Sequence, residues 1–318
     1  MGLFRSKKIQ SLLIFIIAMI VILWIFQDNV LSVSVLKNSS SEIELLETKD
    51  TDSAYLEKIE KFSIIEYSNN EKILYKINAD IYHSYKNSPV ELLNVQVKSF
   101  NESQIEAAIM SSNRAQIQES GEIIFNGNVN IETINNVYHE IDSETFIFTP
   151  NKGEIKSNEE VFYKGERAEI KANGMLMNID NDKLVLKDTV NITHDSGAIV
   201  DTSELLINHS NGEKIYTSEN KTLYRSNENE ITANAGLIMD MNKNLTNLRG
   251  KVNILQKSGA TIKTSNLQVD SSNDKEIYKT DYPTEYISGE SNIKSNRMSY
   301  DVISKKIDLF GAVNAIYE

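Results

Sequence analysis

Residues 127–131 read GNVNI, and the line returns as DTVNI at 188–192, GKVNI at 250–254 and GAVNA at 311–315. A recurrence near every 61 residues marks one structural unit used several times. Around each copy, apolar residues alternate with mostly polar ones. The four sets are Ile123, Phe125, Val129 and Ile131; Leu184, Leu186, Val190 and Ile192; Thr246, Leu248, Val252 and Ile254; and Ile307, Leu309, Val313 and Ala315. Alternation with period 2 predicts strands with one face buried. In the middle of each set stands Gly127, Asp188, Gly250 or Gly311. A glycine inside a strand marks a bulge or a close backbone approach. Asp188 is therefore read as a turn or bulge residue, not as an acid catalyst.

Three further ladders keep the same spacing. AEIKANGMLM (168–177) aligns with NEITANAGLIM (229–239) and SNIKSNRMSY (291–300). ETFIF (144–148) aligns with ELLIN (204–208) and NLQVD (266–270), and GEIKS (153–157) with EKIYTS (213–218) and KEIYKT (275–280). A unit thus holds roughly four strands of ordinary length. A weaker relative precedes them in ILYKINADIY (73–82), VELLNVQVKSF (90–100) and IEAAIMSSNRAQIQ (105–118). Asn-Gly at 173–174 and 211–212, with Asn151-Lys152-Gly153, predicts hairpin-type turns. The simplest object is an all-β, elongated antiparallel β-jelly roll or stacked sandwich. If two strands of a unit fall in each sheet, one unit lengthens the stack by roughly 10 Å. Its two ends are open edges, which pair with other strands unless blunted.

The N-terminus differs in kind. A basic segment (1–8, with Arg5, Lys7 and Lys8) precedes IQSLLIFIIAMIVILWIFQ (9–27), which carries no charge. That is about the length a helix needs to cross a bilayer core. The basic flank predicts a cytoplasmic N-terminus and one transmembrane helix, with the bulk of the chain on the far side. The apolar run exceeds the h-region of a cleaved signal peptide, so an uncleaved anchor is favoured. Residues 28–62 read as a polar linker, with a short helix possible from Tyr55 to Lys61. An all-β stretch then runs from residue 63, first over 63–194 and then over 195–318.

Chemistry is scarce in the 318 residues. There is no cysteine, so disulfides, thiolate metal sites and a cysteine nucleophile are excluded. A net charge of −12 argues against nucleic acid as a partner. The four histidines, His83, His139, His194 and His209, share no metal-ligand spacing. No nucleophile elbow, zinc helix or phosphate loop occurs. No catalytic residue, metal or cofactor is expected. Asn130, Asn191, Asn253 and Asn314 recur where a repeat-built glycan enzyme would need acids, and read as a surface ladder. The inward-facing candidates are Ile123, Phe125, Val129, Phe146, Phe148, Ile170, Met175, Leu184, Leu186, Val190, Leu248, Val252 and Leu309. On periodicity alone they form a core by default, and a groove only if two sheets splay apart.

FIFTPNKGEIKSNEEVFYKGERAEIKANGMLMNIDNDKLVLKDTVNI (146–192), EYSNNEKILYKINADIY (66–82) and the basic flank with its anchor resemble the LptC family of lipopolysaccharide export. The likeness covers roughly residues 1–194. It implies a β-jelly roll whose open interior receives the acyl chains of lipopolysaccharide, so the inward candidates would touch lipid. It implies an anchor helix in the bacterial inner membrane, in contact with the ABC transporter complex that extracts the lipid. It also implies a C-terminal edge strand that joins an LptA-like periplasmic protein by strand addition. Family members end near the position of residue 194. Residues 195–318 are similar to LptA and OstA-like repeats, which moves the expected docking edge to Ile307, Leu309, Val313 and Ile316. A structural or adhesive envelope scaffold with a dry core is the alternative.

Overall fold

The alternating stretches form strands, and each passage of the chain pairs antiparallel with the next. The computed structural model describes residues 55–101, 103–134, 139–179, 183–209 and 212–316. The expected anchor helix lies outside them, and no helix among the described residues is long and apolar enough to cross a membrane. Six long strands come first: β1 (Glu57–Tyr67), β2 (Ile73–Ser84), β3 (Val90–Phe100), β4 (Glu106–Ile117), β5 (Ile123–Thr133) and β6 (His139–Thr149). Two broken passages follow, β7 (Glu154–Ser157) with β8 (Val161–Lys164), and β9 (Ala168–Ala172) with β10 (Met175–Asn178). The pattern of two long and two broken passages then repeats. It runs through β11 (Lys183–His194), β12 (Ile199–Asn208), β13 (Ile215–Ser218), β14 (Thr222–Arg225), β15 (Asn229–Ala233) and β16 (Leu237–Asp240). It recurs in β17 (Leu245–Gln256), β18 (Thr261–Asp270), β19 (Ile277–Thr280), β20 (Thr284–Ser288), β21 (Ser291–Ser295) and β22 (Arg297–Asp301). A last broken passage, β23 (Lys306–Phe310) with β24 (Asn314–Ile316), ends it. Ten long strands and seven broken pairs account for the 24 strands of a single hydrogen-bonded sheet.

Call each passage a rung; there are seventeen. The sheet is creased down the middle of its rungs, and the sequence shows how. In β5, β11 and β17 the register with the next strand slips between Asn126 and Val129, Leu186 and Thr189, and Leu248 and Lys251. Gly127, Asp188 and Gly250 sit in these slips with φ of 77°, 55° and 78°, and Gly311 has φ 86° between β23 and β24. These are the bulges the in-strand glycines announced. The residue in the left-handed region bends the strand there, and the apolar side chains on either side of it, Leu186 and Val190, are both buried.

This geometry corrects the picture of two strands per sheet. Every rung contributes one half to each sheet, so a unit of four rungs adds about 19 Å at ~4.8 Å per strand, not 10 Å. Asn173-Gly174 is likewise not a hairpin. β9 and β10 run on in one direction and pair with the same strand, β11, on either side of the crease. The first strand also starts earlier than residue 63. Glu57–Tyr67 pairs with β2 from Glu57↔Ser84 to Tyr67↔Ile73, and no helix forms at Tyr55–Lys61. Backbone pairing along the whole of β2 outweighs the weak local preferences of that polar stretch. Its solvated side suits an edge strand, whose outer face needs no apolar pattern.

The candidate interior and its mouth

The turns between rungs fall on two margins of the creased sheet, and side chains from opposite margins meet. Tyr75, near the turn between β1 and β2, packs edge-on against Phe148, near the end of β6 (ring centroids 6.3 Å). His139 stacks on His209 at 4.5 Å. The Tyr163 and Tyr216 hydroxyls lie 3.2 Å apart. The Tyr278 hydroxyl lies 3.3 Å from Ser226 Oγ. In each case the partners stand four rungs apart. Folding about the crease therefore lays one half of a unit against the other half of the next. A single unit cannot close on itself, as repeat stacks require. The two sheets enclose one apolar core that runs from Ile77 to Val302.

Twelve of the thirteen inward candidates lie in that core. Ile123, Phe125, Phe146, Met175, Leu186, Val190 and Leu248 have no exposed surface. Val129, Phe148, Ile170, Leu184 and Val252 are 1–3% exposed. Leu309 is half-buried, as is Ile307. Val313 (52%) and Ile316 (54%) are exposed. The stagger explains this gradient. At the C-terminal end one sheet overhangs the other by four rungs, so the inner sides of Tyr286, Ile293 and Ala315, which are cross-strand neighbours, lose their cover. β1 is likewise almost wholly exposed at the other end. Asn130 and Asn191 bond to Asp142 (3.0 Å) and Asp201 (2.6 Å), as rungs of a polar ladder on the other face of the sheet.

A second recurring set escaped the sequence reading. Along the crease, hydroxyls point into the core and bond to one another. Thr202 Oγ1 is 2.9 Å from Ser218 Oγ and 3.1 Å from Thr222 Oγ1. One unit later Thr264 meets Thr280 (3.3 Å) and Thr284 (3.2 Å). One unit earlier Ser143 meets Ser157 (3.4 Å). Ser157, Ser218 and Thr280 also accept the backbone N–H of Glu159, Asn220 and Tyr282 at 3.0–3.2 Å. They thereby cap the break between the two half-strands, giving a partner to an N–H that the ladder leaves free. The signal was present as Ser or Thr at 59–62-residue spacing, beneath the stronger apolar pattern.

The mouth opposite the crease is sealed by side chains alone. At the first seal Tyr163 OH lies 2.7 Å from His139 Nδ1, and Lys214 pairs with Glu166 outside it. Burial, then the neighbouring His209 and Lys214, pushes His139 down to about 3. Burial and Lys214 push His209 down to about 4. Both rings are neutral near pH 7. Burial pushes Tyr216 up to about 12, so it too is neutral. Two voids of about 10 Å³ lie beneath the mouth, one against His139 and Met177 and one against His194 and Met239. Each has room for at most one water. Outside lies a polar depression of about 390 Å³ between Arg167, Asp195, Tyr224 and Glu276. Among the described residues no group of three or more His, Asp and Glu side chains is placed to hold a metal ion.

The described residues form an antiparallel β-jelly roll with a continuous apolar interior, hinged by backbone on one side and closed by side chains on the other. The family model of LptC, described as lipopolysaccharide-assembly, LptC-related, matches residues 12–195 and 209–318. The chain belongs to that family. The match runs through the C-terminal units, which the sequence likened to LptA and OstA-like repeats. None of the curated proteins compared matches the chain.

Proposed function

We propose that this chain is a membrane-anchored component of lipopolysaccharide export that takes acyl chains between its two sheets and hands them on. The observation that carries this reading is the core itself. It is apolar and unbroken from Ile77 to Val302, and among the described residues no strand pairing crosses its mouth. Residues 9–27 would hold it in the bacterial inner membrane beside the ABC transporter complex, with the N-terminus cytoplasmic. The jelly roll would stand in the periplasm. Its C-terminal edge at β23 and β24, with the overhanging inner face of Tyr286 and Ile293, would receive an LptA-like protein by strand addition. Such a bridge needs neither cofactor nor catalytic residue, because the work of transport is done by the ATPase.

One observation favours a dry scaffold instead. The interior is packed shut, with core side chains at 0–3% exposure around Phe125 and Leu248. One experiment separates the two. A photocrosslinking side chain is placed at Phe125 and at Leu248, with Asn130 and Asn253 as outward controls. ATPase-dependent lipopolysaccharide adducts at both inward sites, and at neither control, support transport along the whole stack. Adducts at Phe125 alone would make residues 195–318 a spacer or docking segment. No adduct at either site, in a folded and anchored chain, leaves the scaffold.

A further inference from the structure

The mouth has two equivalent seals, and they are built differently. At the second, the Tyr278 hydroxyl has Ser226 Oγ at 3.3 Å, Asn229 Nδ2 at 3.4 Å and the Glu276 carboxylate as partners. Lys305 and Glu228 form an ion pair across the same lips at 3.6 Å. The first seal has the two tyrosines and the stacked histidines. Gly165 lets the tyrosines meet, since a Cβ there would stand 3.1 Å from both hydroxyls. Yet both ring nitrogens of the buried His209 lack a hydrogen-bond partner among the described residues. A buried polar group without a partner weakens the arrangement that buries it. His139 is also the outsider of its own ladder. Register places it with Ala198 and Ala260, since Ile131↔Ile141 corresponds to Ile192↔Val200 and Ile254↔Ile262. The fold needs only a methyl group here, and this unit has an imidazole that reaches across the mouth.

We propose that His139, His209, Tyr163 and Tyr216 form a releasable clasp, and that hydrocarbon chains enter and leave the interior of the first unit by its parting. The proposal rests on the reading of the core as a lipid path and says where that path opens. The Tyr163 hydroxyl lies between His139 Nδ1 (2.7 Å) and the Tyr216 hydroxyl (3.2 Å) and ties the two lips together. A proton on either buried ring places charge against its stacked neighbour. His139 faces His209, Lys214, Tyr163 and, across the void beneath it, Lys183. His209 faces His139, Tyr216, Lys214 and Glu166. Cations outnumber the one carboxylate, so acid favours the parted state. Below pH 6.5 each histidine shifts the balance toward opening by up to tenfold per pH unit.

The chain has no cysteine, which makes a lip-to-lip staple specific. In the full-length anchored protein, His139→Cys with His209→Cys is closed by oxidation, or by a short bis-maleimide where the disulfide does not form. The readout is the lipopolysaccharide adduct at Phe125. Stapling is expected to lower it at least tenfold, and reduction of the disulfide to restore it. Equal yields with the staple open and closed would overturn the clasp. A second variant, His139→Ala with His209→Ala, keeps the small side chain that the ladder carries elsewhere. Adduct yield in the unsubstituted protein is expected to rise between pH 7.5 and 5.5, and the double-alanine protein to lose that rise. An identical pH response in both would also overturn the proposal. Absence of any adduct at Phe125 in the unsubstituted protein sinks the lipid-path reading itself, and the clasp with it.

Discussion

Gly236 and Gly259 have nearly the same backbone, with φ of 88° and 89°, but different surroundings. Gly259 lies in the turn between β17 and β18, and a Cβ there meets nothing within 4 Å. Gly236 lies on the crease between β15 and β16. A Cβ there would fall 2.0 Å from the Ser218 carbonyl oxygen and 2.7 Å from its carbon. Relief needs the neighbouring rung to retreat by about 1 Å or more, given ordinary contacts near 3.5 Å. Ser218 is not free to move. Its hydroxyl donates to Ser203 O at 2.8 Å, and its carbonyl accepts from Arg249 Nη2 at 2.9 Å. Gly259→Ala should therefore cost only the left-handed penalty, about 1–2 kcal/mol. Gly236→Ala should add overpacking of about 1–3 kcal/mol and about 1 kcal/mol for each hydrogen bond it loosens. With both hydrogen bonds loosened the total is roughly 4–7 kcal/mol. Urea unfolding followed by far-ultraviolet circular dichroism measures both. A gap below about 1 kcal/mol between the two variants would refute a crease held by backbone contact.

Two further outcomes follow from the ends and the mouth. His139 and His209 are depressed from 6.5 to about 3 and about 4, so their stabilisation is complete above pH 6.5 and is lost as pH falls toward those values. Between pH 7.5 and 5.5 each should remove up to about 1.4 kcal/mol. Carboxylates such as Asp240 and Asp270, held low by their hydrogen-bond partners, contribute only below about pH 4, while burial also lowers His194, so the slope is read as the difference between proteins with and without the two histidines. Urea midpoints at the two pH values, with and without His139→Ala and His209→Ala, measure the slope. At the C-terminal edge, Val313→Lys with Ile316→Lys should change stability by under about 0.5 kcal/mol, because both side chains are exposed. Crosslinking of that edge to an LptA-like partner should be abolished, because lysines on an edge strand block strand addition. Unchanged crosslinking would move the docking site elsewhere.

The repeat, the strands and the bulges were legible because each is written locally. Gly127, Asp188 and Gly250 stand where the chain bends, and the apolar pattern resumes on the same face beyond them. That same resumption hid the crease. A bulge with inward residues on both sides leaves a run such as Leu184, Leu186, Val190 and Ile192 looking like one straight strand with a skipped position. Nothing in that run says its two halves lie in different sheets. The seal was invisible for a different reason. His139 and His209 are far apart in the chain and occupy unlike places in their units. Only the four-rung stagger brings their rings to 4.5 Å, and a stagger is a property of the folded sheet. At the N-terminus, β1 was missed because an edge strand wet on most positions need not alternate.

The stagger also decides how such a stack can open. At the crease the two sheets are one, so separating them there would break the ladder of every rung involved. At the mouth they are joined by side chains, and exposed contacts of that kind, such as the Lys305–Glu228 pair, are worth about 1 kcal/mol or less each. Parting therefore begins at the lips and pivots on the bulges, where left-handed residues already bend the backbone. Each half-unit rests on the opposite half of the next unit, so opening one clasp uncovers the core between two neighbouring units and leaves the rungs beyond it paired. On the proposed reading, movement of a bound chain would need only successive local partings along an interior that stays apolar throughout. A closed core at rest and a path for lipid are thus compatible in one fold, with the side chains across the mouth setting how readily each part of the path opens.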